Sequence, residues 1–307
     1  MPSELDSQLE VQARYEATVL GSLRRQLTRP KPPPNDVQLS GAVGIITGGN
    51  GGLGLEASRQ LLQLGLSHLV MGVRSQVVGD TAADALRMDF PRATISVWAV
   101  ELESYDSVRE FAGRCATLSR IDIAILNAAT SPRPTFTTVA STGHELSLQV
   151  NYLSTALLAI LLLPILKDQK KSSPAGKPPV LTIVGSDTAY ETTLETEGPV
   201  LAQLDRPDLF EQFPAYRKTK LLNALFVARL ADFVSPDDVL VNVVNPGLTS
   251  GTDLMRAMPL IPGMIMAVAK GLLARPLKVG VSVYIDAVVT QGRESHGRFV
   301  SDWTIKP

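Results

Sequence analysis

Val43-Gly-Ile-Ile-Thr47-Gly-Gly-Asn-Gly-Gly-Leu-Gly54 decides the fold. Residues 43–47 form a short apolar run of strand character, and a glycine turn follows at once. Residues 53–64 then read as a helix stopped by Gly65. Thr47, Gly48, Gly52 and Gly54 fit the pattern T-G-x-x-x-G-x-G. Glycines at such a turn let the backbone approach a pyrophosphate and let the helix pack on its strand. The helix beginning near Leu53 offers free N–H groups and the positive end of its dipole. Asn50 and Leu53 belong to the same candidate cradle. The plainer reading is a flexible glycine-rich loop, and the placement between strand and helix weighs against it.

Working outward, strands and helices alternate. Residues 68–73, 94–100, 121–127, 180–185 and 239–244 read as further strands. Residues 104–118, with Ser104 as N-cap, read as a helix, as do 143–166, broken near Pro164, and 214–233, with Pro214 in its first turn. Continuous Val/Ile/Leu strands indicate a sheet covered on both faces. The expected fold is α/β: a doubly wound parallel sheet of Rossmann type in three αβα layers. Ligands bind such sheets outside the carboxyl ends of the strands. Thr47–Gly54, Asn127, Ser186 and Asn245-Pro246-Gly247 all follow strand ends and are expected along one edge. Residues 1–38 form a separate extension, with Leu5, Leu9, Val19, Leu23 and Leu27 marking an amphipathic helix before a stiff Pro-rich linker. Residues 39–307 are expected to form one catalytic domain, with a substrate lid expected near 248–275.

The composition narrows the functional classes. The chain has 307 residues, 45% hydrophobic and 19% charged, with a net charge of −1. No basic excess exists to neutralise phosphates, so nucleic acid is not an expected partner. One cysteine, Cys115, and three scattered histidines form no recognisable metal set and no internal disulfide. A reducing, cytoplasmic location is expected. Residues 1–27 carry Glu4, Asp6 and Glu10 and do not read as a signal peptide. The uncharged run 152–166 falls short of the roughly 20 residues that span a bilayer and reads as a buried helix. Residues 257–269 are also uncharged, but Pro259, Pro262 and Gly263 break them. A lid over an apolar substrate, or a peripheral membrane-facing patch, fits that segment better than a span.

Tyr216 and Lys220 stand four residues apart in Tyr216-Arg-Lys-Thr-Lys220. On a helix they share a face. A phenol near an ammonium is expected to ionise more readily and to serve as a general acid or base. At the end of strand two stands Met71-Gly-Val-Arg74-Ser75, with no carboxylate to repel a 2′-phosphate and with Arg74 able to clamp one. NADP(H) is therefore expected over NAD(H).

In this order the glycine turn, Asn127-Ala-Ala129, Asn151, Ser186, Tyr216/Lys220 and Asn245-Pro-Gly247 resemble the short-chain dehydrogenase/reductase family, over about residues 39 to 301. Gly54-Leu-Glu-Ala57 and Tyr216-Arg-Lys-Thr-Lys-Leu-Leu-Asn-Ala-Leu-Phe226 are similar to the fungal reductases that resemble retinol dehydrogenases, enzymes that often serve secondary metabolism. The resemblance implies that Tyr216 exchanges a proton with the substrate oxygen. It implies that Lys220 lowers the Tyr216 pKa and binds the nicotinamide ribose, and that Ser186 orients the substrate oxygen. Asn151 would support a relay water, and Thr249 would touch the cofactor together with Pro246 and Gly247. Three features depart from the family pattern. Leu126-Asn-Ala-Ala129 stands where Asn-Asn-Ala-Gly is usual, and Glu101 stands where Asp is usual after strand three. Ser186 and Tyr216 are 30 positions apart, with an expected flap at 188–207 between them.

The expected activity is interconversion of a ketone or aldehyde with an alcohol on a bulky apolar molecule, suggested by the Met- and Leu-rich run 254–273. Core packing or an oligomer contact explains that run equally well. A non-catalytic nucleotide-binding scaffold or sensor, and a dehydratase or epimerase of the same fold, stay open. So does the choice between homo-oligomer and monomer.

Overall fold

The computed structural model describes residues 12–32, 36–169, 177–251 and 273–307. The first half reads α1 Val19–Leu27, β1 Val43–Thr47, α2 Gly52–Gln63, β2 His68–Val73, α3 Gln76–Asp89, β3 Thr94–Ala99, α4 Tyr105–Cys115 and β4 Ile123–Leu126. The second half reads α5 Ser154–Gln169, β5 Val180–Val184, α6 Val200–Leu204, α7 Gln212–Leu230, β6 Leu240–Asn245, α8 Leu277–Ile285, β7 Phe299–Ser301 and β8 Thr304–Lys306. One sheet holds all the strands in the order β3-β2-β1-β4-β5-β6-β7-β8. Every pairing is parallel except β7 with β8. The chain reverses its direction of travel across the sheet between β1 and β4, and that is where such sheets open a crevice.

Alternation along each strand feeds two cores. Ile46, Ile123 and Ile125 point to the face covered by α2, α3 and α8, where Leu61, Leu86 and Tyr284 pack. Ile45, Ala124 and Leu126 point to the face covered by α4, α5 and α7, with Phe111, Leu162 and Val227. Each fully buried Ile or Leu contributes about 2 kcal/mol of transfer free energy. Ser104 does cap α4, its side chain accepting from the Ser107 N–H.

Several expectations need correction. The helix α3 was not anticipated; Gly79 in its second turn weakens the periodic signal, yet is required because a Cβ there would lie 2.6 Å from Val97. The two strands after α8 have three residues each, too few to show a pattern. The helix over 143–166 is not broken at Pro164, which lies inside α5. Pro164 frees the carbonyl of Ile160, and Ile160 is 49% exposed, so water can take the bond. With the turn Leu146–Leu148 and the π-helical Gln149–Leu153 before it, this helix runs to 24 residues, long and apolar enough to cross a membrane by length and composition. Its apolar window is 67% buried inside the fold, against the sheet and α4.

The N-terminal helix is also turned the other way round. On the expected apolar face Val19 and Leu27 are exposed and Leu23 is half-buried, while Arg25 is buried. Residues 252–272, most of the expected lid, and the first leucines of the expected amphipathic helix lie outside the described residues.

Candidate active site

A cleft of about 670 Å³ opens at the carboxyl ends of β1, β2, β4, β5 and β6. The glycine turn forms one wall. The backbone of Gly48 has φ +67°, a conformation that favours glycine. Gly54 is needed for closeness: a Cβ there would lie 2.2 Å from the Gly48 carbonyl oxygen and 2.6 Å from Asn127 Nδ2. The hydroxyl of Thr47 accepts from the Asn127 and Ala128 N–H groups, both at 3.0 Å, and Asn127 Nδ2 donates to the Thr47 carbonyl at 3.0 Å. The turn after β1 and the loop after β4 are thus one unit. The N-terminus of α2 faces the cleft through Gly52 and Leu53, beside Asn50. Its free N–H groups suit a phosphate-bearing ligand. Arg74 lines the β2 side of the same cleft, exposed, with no hydrogen bond or ion pair from its guanidinium to a described residue.

The opposite wall carries the acid–base groups. Tyr216 and Lys220 are buried on one face of α7 and both line the cleft. Lys220 Nζ lies 5.7 Å from the Tyr216 ring centroid and donates to the Val184 carbonyl at 2.8 Å. Burial pushes the Tyr216 phenol above its ordinary value, with the nearby Asp187 adding to the shift. Burial alone lowers Lys220 to about 8. The expected lowering of the phenol by Lys220 is therefore not what the protein's own groups produce. Desolvation of the buried ring is the largest cause, and the Lys220 ammonium is committed to a backbone carbonyl.

Ser186 also lines the cleft; its Oγ accepts from the Thr188 Oγ1 at 3.0 Å and from the Thr188 N–H. The insertion after it does not displace it. Its 3-10 turn Asp187–Glu191 sits on α7, and farther along Asp205 pairs with His144 at 2.7 Å while Phe210 meets Phe136 edge-on. Glu101 lines the cleft too, with its carboxylate accepting from the Glu103 N–H at 3.1 Å. Pro246, Gly247 and Thr249 line it beyond β6.

Three expected site residues stand behind the wall rather than in it: Thr47, Gly54 and Asn151. Asn151 lies in the π-helical segment, 1% exposed. Its side chain accepts from the Thr130 N–H at 2.7 Å and donates to the Thr130 carbonyl at 3.2 Å. It holds the loop after β4 in place. Its main-chain carbonyl accepts from Asn223 Nδ2 at 2.9 Å.

Sequence reasoning missed Asn223, although it stands one helical turn beyond Lys220. Tyr284 was missed as well: fully buried, it lines the cleft and donates to Asn127 Oδ1 at 3.4 Å. Nothing near Tyr284 in the sequence signals this role, because α8 reaches the cleft through its packing on α2 and β6. Cys115 is buried, and burial pushes its thiol up to about 12.

A family profile described as short chain dehydrogenase matches residues 42–174. The short chain dehydrogenase virL of Hypocrea virens is 58% identical over 99% of this chain and 88% of the relative. The short chain dehydrogenase/reductase mfmJ of Annulohypoxylon moriforme is 46% identical over 91% of this chain and 81% of the relative. Among solved structures, the NADPH-dependent 3-quinuclidinone reductase of Rhodotorula rubra superposes with a TM-score of 0.63 at 21% identity, over 89% of this chain and 96% of that one. Levodione reductase gives a TM-score of 0.66 at 15% identity, over 86% and 96%. Near-complete coverage by relatives 58% and 46% identical has one meaning: the chain belongs to the short-chain dehydrogenase/reductase family.

Proposed function

We propose that this protein is an NADP(H)-dependent oxidoreductase that interconverts a ketone or aldehyde with an alcohol on a bulky apolar small molecule, in fungal secondary metabolism. The observation that carries the reading is the placement of Tyr216, Lys220 and Ser186 on one wall of a cleft whose other wall is the glycine turn. The names of the relatives support the oxidoreductase class. An NADPH-dependent neighbour supports the cofactor.

The residues present fit a dinucleotide. Gly51 and Gly52 line the cleft, and a Cβ on either would meet no protein atom within 4 Å, so the turn leaves open space there. The α2 N-terminus would hold the pyrophosphate, and Arg74 would meet a 2′-phosphate. When bound, the nicotinamide supplies or accepts the hydride. Tyr216, kept protonated by burial, donates its phenolic proton to the substrate oxygen during reduction. The Ser186 hydroxyl orients that oxygen. Lys220, lowered to about 8, exchanges its proton near neutral pH and restores the phenol. Burial favours the neutral phenol, the form that gives its proton to the substrate oxygen.

The test is consumption of NADPH by the purified protein with a panel of bulky apolar ketones. Turnover that needs the Tyr216 hydroxyl supports the reading. NADPH binding without net consumption on any substrate would favour a scaffold or an internal redox isomerisation and sink this one.

A further inference from the structure

The N-terminal helix docks by its polar residues, contrary to its apolar pattern. Val19 is 77% exposed and Leu20 69%, whereas Arg25 is 4% exposed. The Arg25 guanidinium pairs with Glu16, stands 3.6 Å from Asp187 and lies 4.9 Å from the Tyr190 ring centroid. Asp187 directly follows Ser186. The next residue, Gln26, reaches farther. Its Nε2 donates to the carbonyls of Leu248 at 2.8 Å and Leu273 at 2.7 Å, and its Oε1 accepts from the Leu248 N–H at 2.9 Å.

This carboxamide therefore satisfies both backbone groups of Leu248, as a neighbouring strand would. It also ties Leu248 to Leu273, on either side of residues 252–272. Arg275 reinforces the clasp by donating to the carbonyls of Arg25, Gln26 and Pro246. Gly247 makes room for it: φ there is +72°, and a Cβ would lie 2.9 Å from Gln26 Oε1. The clasped residues are not remote from the chemistry, since Pro246, Gly247, Leu248 and Thr249 all line the cleft.

The sheet order says which end of the ligand they meet. Arg74 follows β2, the glycine turn follows β1, Ser186 follows β5 and Pro246 follows β6. A dinucleotide laid across this edge with its adenosine toward Arg74 has its nicotinamide toward Pro246–Thr249.

We infer that Gln26 is a positioning residue for the nicotinamide half of the cofactor: its carboxamide clasps Leu248 to Leu273 and so fixes the cleft wall beyond β6. This rests on the cofactor reading above. Gln26 touches no reacting atom and acts through the backbone of Leu248. A wall held in place before binding spares the ligand the cost of ordering it.

The experiment uses the full chain and two ligands: NADPH, and 2′-phospho-ADP-ribose, the same molecule without its nicotinamide. Binding of each is measured by calorimetry for the unmodified protein, Gln26→Met, which keeps length and loses all three bonds, and Gln26→Glu, which keeps the acceptor and loses both donors. The expected result is an NADPH Kd raised about tenfold in both variants, with the fragment's Kd unchanged. Equal affinities in all three proteins would overturn the inference and leave the cofactor reading standing. Equal weakening of both ligands would also overturn it, because it would mean a general folding role. An unmodified chain that binds neither ligand takes down both readings. Hydrogen exchange on the unmodified protein is independent of whether the variants fold. NADPH should slow exchange at 246–250 and at 25–28 together, and protection confined to the first segment counts against the clasp.

Discussion

Lys220 Nζ and the Val184 carbonyl oxygen are 2.8 Å apart, a bond that ties the middle of α7 to the last residue of β5. It sets the height of the Tyr216/Lys220 face above the sheet edge, one residue before Gly185 and Ser186. An ammonium buried there with a carbonyl as its recorded partner is costly to keep charged, and that cost is measurable.

Burial lowers Lys220 from 10.5 to about 8. Below about pH 8 the folded protein carries a desolvated charge that the unfolded chain keeps in water. Between about 8 and 10.5 the unfolded lysine still binds a proton that the folded one has released, so this group makes stability rise with pH. The difference in unfolding free energy between the unmodified protein and Lys220→Met should grow by about 2 to 3 kcal/mol from pH 8 to pH 10. Buried tyrosines act in the opposite sense, but only above pH 10, since burial raises Tyr216 and Tyr284. Denaturant titrations at several pH values read this directly, and a flat difference would discard the assignment.

Tyr216→Phe removes the proton donor and little else, because no hydrogen bond from the hydroxyl supports the fold among the described residues. Turnover with a reducible ketone should fall by about 10²- to 10⁴-fold while NADPH affinity holds. Steady-state kinetics beside calorimetry separate the two quantities, and undiminished turnover removes Tyr216 from the mechanism.

Gly54→Ala puts a methyl group 2.2 Å from the Gly48 carbonyl oxygen, backbone that cannot move without opening the turn. Dinucleotide binding should be lost and the melting temperature should drop. Gly113→Ala is the contrast: it lies exposed in α4 with open space around it. There the exchange should stabilise by about 0.5 to 1 kcal/mol. Thermal unfolding of the two variants side by side checks both.

Arg74→Ala should raise the Kd for NADPH by about 10- to 100-fold, the worth of charge-assisted bonds to a phosphate, and leave NADH nearly untouched. Parallel losses for both dinucleotides would show that Arg74 supports the loop rather than reading the 2′-phosphate.

The parts of the fold legible in the sequence are those where local pattern and tertiary environment agree. Val43–Thr47 followed by a glycine turn could be read because a buried parallel strand is apolar throughout and the turn's spacing is stereotyped. Tyr216 and Lys220 could be read because helical spacing fixes their common face. Pro164 misled because a rule about backbone bonding ignores whether the orphaned carbonyl can reach water. Val19 and Leu27 misled because amphipathic periodicity assumes that the apolar side faces inward, whereas Arg25 and Gln26 find enough partners to reverse it. Tyr284, Arg275 and Gln26 gave no local signal, and Asn223 gave only its place one turn beyond Lys220. Their partners stand far away in the chain, and only the packed sheet brings them together.

The Gln26 clasp also sets an order of events during synthesis. Its partners Leu248 and Leu273 lie 222 and 247 positions downstream. The ribosome therefore releases the helix bearing Gln26 long before the residues it must hold. The strands from β1 to β6 can assemble in the meantime, since each finds its neighbours within already emerged chain. Loop closure on that scale is entropically slow. A nascent chain stalled before residue 273 should thus carry most of a sheet with the Gln26 helix undocked, and ligand competence should arrive only after residue 273 has emerged.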